Sequence, residues 1–156
     1  ALYDFIDHNE MIEMYPVNHM NDPYVIGQND RMVSINSCLE IDLYGQVASE
    51  AIGLEQFSGT GGQVDYLRGA KRSRGGRSIL AFTSTAKGGT VSRIVPVLPP
   101  GATVTSGRNE VDYIATEYGA VRLRGLTLRE RALALVSIAH PDFRPGLMAV
   151  VEERFS

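Results

Sequence analysis

Residues 57–77 read F-S-G-T-G-G-Q-V-D-Y-L-R-G-A-K-R-S-R-G-G-R. Gly59, Gly61 and Gly62 crowd the opening, and Gln63-Val64-Asp65-Tyr66-Leu67-Arg68 continues as about two turns of helix. A backbone without Cβ atoms lets a ligand come close. A helix beginning at Gln63 adds free N–H groups and a partial positive charge, which suit an anion or a developing oxyanion. Arg68, Lys71, Arg72, Arg74 and Arg77 follow, with no acid after Asp65. Such a segment holds a phosphorylated or carboxylate ligand, or is a flexible surface turn with a solvated basic face.

The surrounding chain is that of an ordinary α/β domain. With 156 residues, 44% apolar and 21% charged, it is long enough for one domain with a real core. No apolar run approaches the length that spans a bilayer. The single Cys38 excludes an internal disulfide and suits a reducing cytoplasm. A net charge of −3 gives no general attraction to nucleic acid, so the basic stretch is local. The opening Ala-Leu-Tyr-Asp-Phe-Ile-Asp has no initiator Met and no signal-peptide layout, and reads like the middle of a helix in a larger protein.

Working outward from the glycines, Leu2, Phe5 and Ile6 sit at helical spacing, and 17–21 reads as loop. Asp22-Pro23 starts a helix, Asp22 as cap and Pro23 as first residue, running to about Asn29. Leu39-Glu40-Ile41-Asp42-Leu43 alternates as a strand with one buried face, and Gly45-Gln46 turns it toward a partner at 47–50. Beyond the glycine loop, 78–82 is a buried strand, 92–98 a strand carrying Pro96 at an edge or bulge, and 103–105 and 111–115 further strands. Thr127 and Glu130 form a capping box for a helix over 128–139, with Leu128, Ala132, Leu135, Val136 and Ala139 as its apolar stripe. Pro145 to about Arg154 is the last helix, with Leu147, Val150 and Val151 turned inward. Strands in the middle with helices at both ends predict an α/β domain.

The chemistry-bearing residues form no common catalytic motif. His19 and His140 have no Cys or carboxylate at metal-ligand spacing, so a metal site is not expected. No serine sits in a nucleophile elbow, and G-T-G-G-Q lacks both the Lys-Ser/Thr of a P-loop and the full dinucleotide spacing. Cys38 reads as a buried inert thiol. Glu117 follows a strand, where α/β domains place functional groups, but it also fits a solvated loop carboxylate. Asn21 is read either as a site residue or as part of the turn before the helix that Asp22 caps.

Seven segments in order carry a resemblance over nearly the whole chain: N-D-P-Y-V-I (21–26), M-V-S-I-N-S-C-L-E-I-D-L-Y-G-Q-V (32–47), S-G-T-G-G-Q-V-D-Y-L-R-G-A (58–70), S-T-A-K-G-G-T-V-S-R-I-V-P (84–96), T-E-Y-G (116–119), L-R-G-L-T-L-R-E-R-A (123–132) and I-A-H-P-D-F-R (138–144). Together the chain resembles the C-terminal domain of the acetyl-CoA hydrolase/transferase family, and within it the 4-hydroxybutyrate CoA-transferases. The resemblance implies a CoA-transferase-type α/β domain, a central sheet flanked by helices, that forms one wall of a cleft between two α/β domains. A glutamate carboxylate attacks the acyl-CoA thioester in that family, and a glutamyl-CoA thioester follows. That nucleophile and the N-terminal domain lie upstream of the matched region, so this chain alone is expected to be inactive.

The likeness also implies roles by position. Gly62, with Gly61, presents backbone N–H groups to the thioester oxygen, and losing such a donor typically costs about 3 kcal/mol of barrier. Asn21 sits near the acyl or carboxylate end, and Glu117 helps position substrate or nucleophile. Gly59, Gly61, Gly62 and Gln63 form the coenzyme A wall; Lys87 and the basic residues around Lys71 are weaker candidates for its phosphates. Cys38 stands where the family commonly has Ala. The implied partners are acyl-CoA, a short-chain carboxylate and the N-terminal domain, with no nucleic acid, membrane or metal expected; the apolar face that separation from that domain exposes leaves a homo-oligomer open. Two alternatives stay open: an acetyl-CoA hydrolase, with water as acceptor, and a non-catalytic module that binds CoA or an anion.

Overall fold

A computed structural model describes residues 1–155. Its first three helices are short: α1 (Leu2–Ile6), α2 (Val17–Met20) and α3 (Pro23–Gly27). The stretch read as loop at 17–21 is thus helical from Val17 to Met20, started by Pro16 with its extended backbone and ended by Asn21. Asp22 caps α3 as expected, its carboxylate accepting the Tyr24 N–H at 2.7 Å. No residue of α1 is buried.

β1 (Val33–Asn36) is an edge strand. β2 (Glu40–Asp42) and β3 (Val47–Ala48) form the expected hairpin around the 45–46 turn, where Gly45 takes a φ of +85°. The alternation of β2 does not put one face in water: Glu40, Ile41 and Asp42 are all buried. The carboxylate of Asp42 is satisfied inside by the Tyr44 and Gln46 N–H groups and the Gln46 side chain. A small hairpin follows, β4 (Ala51–Ile52) with β5 (Glu55–Gln56).

The glycine segment then opens α4 (Gln63–Arg72), which is longer than the two turns expected. Ser73 ends it, donating its hydroxyl to Asn29 O at 2.6 Å and accepting the Met32 N–H at 3.1 Å. α3 and α4 touch through glycines: a Cβ on Gly27 would lie 2.9 Å from the Cβ of Arg72, and one on Gly69 would collide with Ile26. Four residues later the chain enters β6 (Arg77–Ala81), so α4 runs back along the strand it feeds.

β7 (Thr85–Ala86), a 3₁₀ turn at Lys87–Gly89 and β8 (Val91–Ser92) make a hairpin, and β9 (Ile94–Val95) follows. The strand expected over 92–98 is therefore broken after Ser92, whose hydroxyl donates to Ile94 O at 2.7 Å. Thr103–Thr105 is no strand either: the Thr105 N–H and the neighbouring Ser106 N–H both bond Val47 O, and only Ser106 bridges to Val47. β10 (Tyr113–Thr116) and β11 (Gly119–Arg122) form a further hairpin at the sheet edge. The helices α5 (Leu128–Ser137) and α6 (Arg144–Arg154) close the chain, with Pro141–Phe143 as a 3₁₀ turn between them. Thr127 and Glu130 make the capping box, the Thr127 N–H donating to the Glu130 carboxylate at 2.8 Å. Of the apolar stripe, Ala132, Leu135, Val136 and Ala139 are buried while Leu128 is exposed.

The main sheet has the order β1-β6-β10-β11, its first three strands parallel and β11 antiparallel. β3-β2-β9 form a smaller sheet. One apolar cluster joins both sheets to the helices, with Ile41, Leu67, Leu80, Ile94, Ile114, Leu135 and Val151 at its centre. Arg93 stitches the sheets together: its guanidinium donates to Leu39 O at 2.8 Å, to Thr83 Oγ1 at 3.0 Å and to Cys38 O. Sheets flanked by helices are the α/β arrangement expected, with the central sheet split in two.

Candidate active site

Two clusters at the carboxyl edge of the main sheet contain most of the expected site residues. The first is at the start of α4. No side chain caps Gly62, so the first N–H groups of a ten-residue helix remain without a capping side chain. Asn21 is pressed against that point: its side-chain amide occupies the place where a Cβ of residue 62 would lie, with Cγ 3.2 Å from it. The contact exists because Asn21 ends α2 and Asp22 starts α3, which packs on α4 through Gly69. Val17, Asn18, Asn21 and Asp22 on one side and Thr60, Gly61, Gly62 and Asp65 on the other enclose an open cleft of ≈ 620 Å³. Gly61 has a φ of +53° and Gly59 meets nothing within 4 Å of its missing Cβ.

Gln63 does not reach this cleft with its side chain. It is buried, and its amide donates to Ser106 Oγ at 3.1 Å, away from the cleft. The basic run turns elsewhere as well. Arg68 pairs with Glu110 at 3.4 Å, Lys71 donates to Asn109 O at 3.1 Å, Arg74 pairs with Asp30, and Arg72 stacks over Tyr24. Lys87 stands exposed at the tip of the β7–β8 hairpin with a φ of +49°.

The second cluster is centred on Glu117. Ser84 follows β6 and Glu117 follows β10, and these strands are parallel neighbours with Ala81 opposite Ala115, so both residues leave the sheet side by side. The buried Ser84 grips both carboxylate oxygens, its N–H donating to Oε2 at 2.8 Å and its hydroxyl to Oε1 at 2.6 Å. Thr116 fixes the turn, donating to Ile138 O at 2.6 Å and accepting the Tyr118 N–H at 3.1 Å. Partial shielding from water pulls the Glu117 pKa upward. The Ser84 hydroxyl and N–H, the N–H of Glu117 itself and the charge of His140 pull it down and prevail, so it lies below the ordinary glutamate value.

α4 runs antiparallel to β6, which places its N-terminus at the edge where Ser84 and Glu117 emerge. Among the described residues no hydrogen bond joins the two clusters. Cys38 is buried, and desolvation pushes its thiol up to about 12, with Arg93 pulling down and Glu40 pushing further up. It is an inert thiol. Among the described residues no group of three or more His, Cys, Asp or Glu side chains gathers as for a metal, and no helix is long and apolar enough to cross a membrane.

A sequence model of the acetyl-CoA hydrolase/transferase C-terminal domain matches residues 1–151. The chain belongs to this family. Among curated members, the 4-hydroxybutyrate coenzyme A transferase of Clostridium kluyveri is 59% identical over 99% of this chain and 36% of its own length. The succinyl-CoA:cyclohexane-1-carboxylate CoA transferase of Geobacter metallireducens is 57% identical over 94% of this chain and 33% of its length. The crystal structure of 4-hydroxybutyrate CoA-transferase from Porphyromonas gingivalis superposes with a TM-score of 0.83 at 60% identity, over 99% of this chain and 35% of that one. RipA from Yersinia pestis gives 0.91 at 47% identity, over 99% and 34%. The chain thus spans about a third of the length of the family members it matches.

Ser84 and Arg93 were not singled out from sequence as site residues. The signal for Ser84 exists only once β6 and β10 are known to be neighbours, because the two residues it joins are 33 apart.

Proposed function

We propose that this chain is the C-terminal wall of a cytoplasmic acyl-CoA:carboxylate CoA-transferase of the 4-hydroxybutyrate/acetate type. The observation that carries it is the uncapped start of α4, bare of a Cβ at Gly62 and facing an open cleft beside Asn21. The Gly62 N–H, with that of Gly61, receives the thioester oxygen as negative charge develops on it. Asn21 orients the acyl or carboxylate end, and Glu117 positions substrate or nucleophile from the neighbouring edge. The nucleophilic glutamate comes from the preceding domain of the full-length protein. Its carboxylate oxygen bonds to the acyl carbon and expels CoA thiolate, giving a mixed anhydride. The thiolate then attacks the glutamyl carbonyl, releasing the acyl carboxylate and leaving a glutamyl-CoA thioester that the acceptor carboxylate opens.

Family members named acetyl-CoA hydrolase match less well, at 34% identity over 74% of this chain for that of Kluyveromyces lactis, and this favours the transferase reading over hydrolysis. The test is mass spectrometry of the full-length protein after exposure to acyl-CoA without acceptor. A CoA adduct on a glutamate outside these 156 residues is expected, discharged by acetate and slowly by water. Turnover without that adduct, or transferase activity from this chain alone, overturns the proposal.

A further inference from the structure

Ser84 alone holds Glu117 by both carboxylate oxygens, its N–H donating to Oε2 and its hydroxyl to Oε1. Every polar group of Ser84 is committed: its N–H and hydroxyl go to Glu117, and its carbonyl accepts the Arg93 N–H at 2.8 Å. A fully buried serine with this pattern does not serve solubility, and its hydroxyl has no other partner. The carboxylate that it grips is on the exposed side of the contact. The grip therefore fixes where an exposed side chain points, and an exposed glutamate otherwise samples many rotamers.

We propose that Ser84 is a positioning residue for CoA transfer: it aims Glu117 along the sheet edge as an ionised hydrogen-bond acceptor. This rests on the reading of Glu117 as part of the cleft. A carboxylate whose two oxygens already accept from Ser84 uses its remaining lone pairs toward an N–H or O–H of the substrate or the facing domain. It does not receive the acceptor carboxylate, which it repels.

The charged groups around it agree with an ionised Glu117. His140, from the link between α5 and α6, acts on it electrostatically, and its Nδ1 lies 3.7 Å from Asp142 Oδ2. Arg144 stacks over the ring of Tyr118, next in sequence to Glu117, and Arg93 is engaged by Cys38, Leu39 and Thr83. No acid other than Asp142 faces the group among these contacts, and Asp142 is turned to His140.

The experiment has two arms. In the first, the full-length transferase is labelled with ¹³C-carboxyl glutamate and titrated by NMR, with Glu117→Gln assigning the resonance. The Glu117 midpoint in the unsubstituted chain lies below the ordinary glutamate value, rises in Ser84→Ala and stays low in Ser84→Thr, which keeps the hydroxyl. In the second, kcat/KM of the full-length transferase falls about tenfold in Ser84→Ala, the loss expected for one hydrogen bond to a charged group. Its acid limb moves to higher pH, and Ser84→Thr restores both. Because Glu117 is exposed, Glu117→Gln folds even where Ser84→Ala does not; it lowers kcat/KM to the same extent, and the double variant is no worse. A Glu117 midpoint that ignores Ser84→Ala overturns the proposal. A midpoint that moves while kinetics do not, in Ser84→Ala or in Glu117→Gln, shows that Glu117 lies outside the reaction and overturns the positioning role. The adduct test above fails or succeeds independently of either arm.

Discussion

Replacing Gly62 by alanine separates the architecture of the cleft from its chemistry. The backbone there has φ −92° and ψ 9°, which any L-residue adopts, so the change brings no conformational strain. Its whole effect is steric: the new Cβ runs into the amide of Asn21, with Cγ at 3.2 Å. That amide is the free end of a short side chain and can swing aside, so stability should change by less than about 1 kcal/mol. Catalysis is less tolerant. If the Gly62 N–H receives the thioester oxygen and Asn21 borders the same space, the clash misplaces both. Losing one such donor lowers kcat by about 10²–10³-fold, or roughly 3–4 kcal/mol. The assay is CoA transfer by the full-length enzyme, with thermal melting as the fold control. The decisive comparison is made on an Asn21→Ala background. There the clash is gone, so adding Gly62→Ala should do little more than Asn21→Ala alone, a strong departure from additivity. Gly146→Ala in α6, with nothing within 4 Å of its Cβ and outside the cleft, should be at the unsubstituted rate. An unimpaired Gly62→Ala, or an equal loss on both backgrounds, refutes the reasoning.

Gly69→Ala should destabilise the chain by about 1–3 kcal/mol in urea unfolding, since the collision with Ile26 at the α3–α4 contact outweighs the gain in helix propensity; unchanged or higher stability would contradict it. Thr127→Ala should lower stability by about 1 kcal/mol through loss of the α5 cap. The Thr127 N–H and hydroxyl hold the Glu130 pKa below its ordinary value, so this contribution is present above the unfolded carboxylate pKa and fades as pH falls through the folded one. The pH dependence of melting should therefore flatten in Thr127→Ala between those two values. Glu40 is the opposite case: burial and then Asp42 raise its pKa, and its Oε1 has no partner. Its contribution is complete below the unfolded pKa and is lost as pH rises through the folded one. Glu40→Gln should thus gain stability relative to the unsubstituted chain at pH 8 and lose that advantage in acid, as read from denaturation midpoints; an equal difference at both ends would refute it.

What the sequence made legible was what neighbours in the chain decide. The caps at Asp22 and Thr127, the glycine-to-helix transition at Gly62, the turn at Gly45 and the strand entering at Ser78 depend on residues within a few positions of each other. What stayed hidden depends on partners far along the chain. The alternation of Glu40 and Asp42 signals a wet face only if water is the partner, yet Asp42 finds three donors in its own turn. Thr103–Thr105 has strand composition but no continuous ladder to join, because Val47 O already takes the N–H groups of Thr105 and Ser106. The hairpin partner β11 carries no alternation strong enough to show before β10 is in place. Asn21 against Gly62 and Ser84 against Glu117 are tertiary contacts, and the resemblance named Asn21, Gly62 and Glu117 while the residue types alone left each with a second reading.

The basic run shows how the distinction bears on function. Read as a string, Arg68 to Arg77 looks like a phosphate cradle continuous with the glycines. In the fold, α4 turns Arg68, Lys71 and Arg72 toward Glu110, Asn109 and Tyr24, Arg74 beyond it pairs with Asp30, and Asp22 and Asp65 line the cleft. Two acidic residues lining the cleft disfavour a polyphosphate there but leave room for a thioester, which is neutral until the oxyanion develops. On the proposed function, the helix start suits the acyl end of the substrate, and the phosphates of coenzyme A meet cations elsewhere. Within this chain Lys87, exposed on its hairpin tip, remains available for that task. Lys87→Glu should accordingly raise KM for acyl-CoA severalfold in the full-length enzyme without lowering kcat, and an unchanged KM would leave phosphate recognition to the preceding domain.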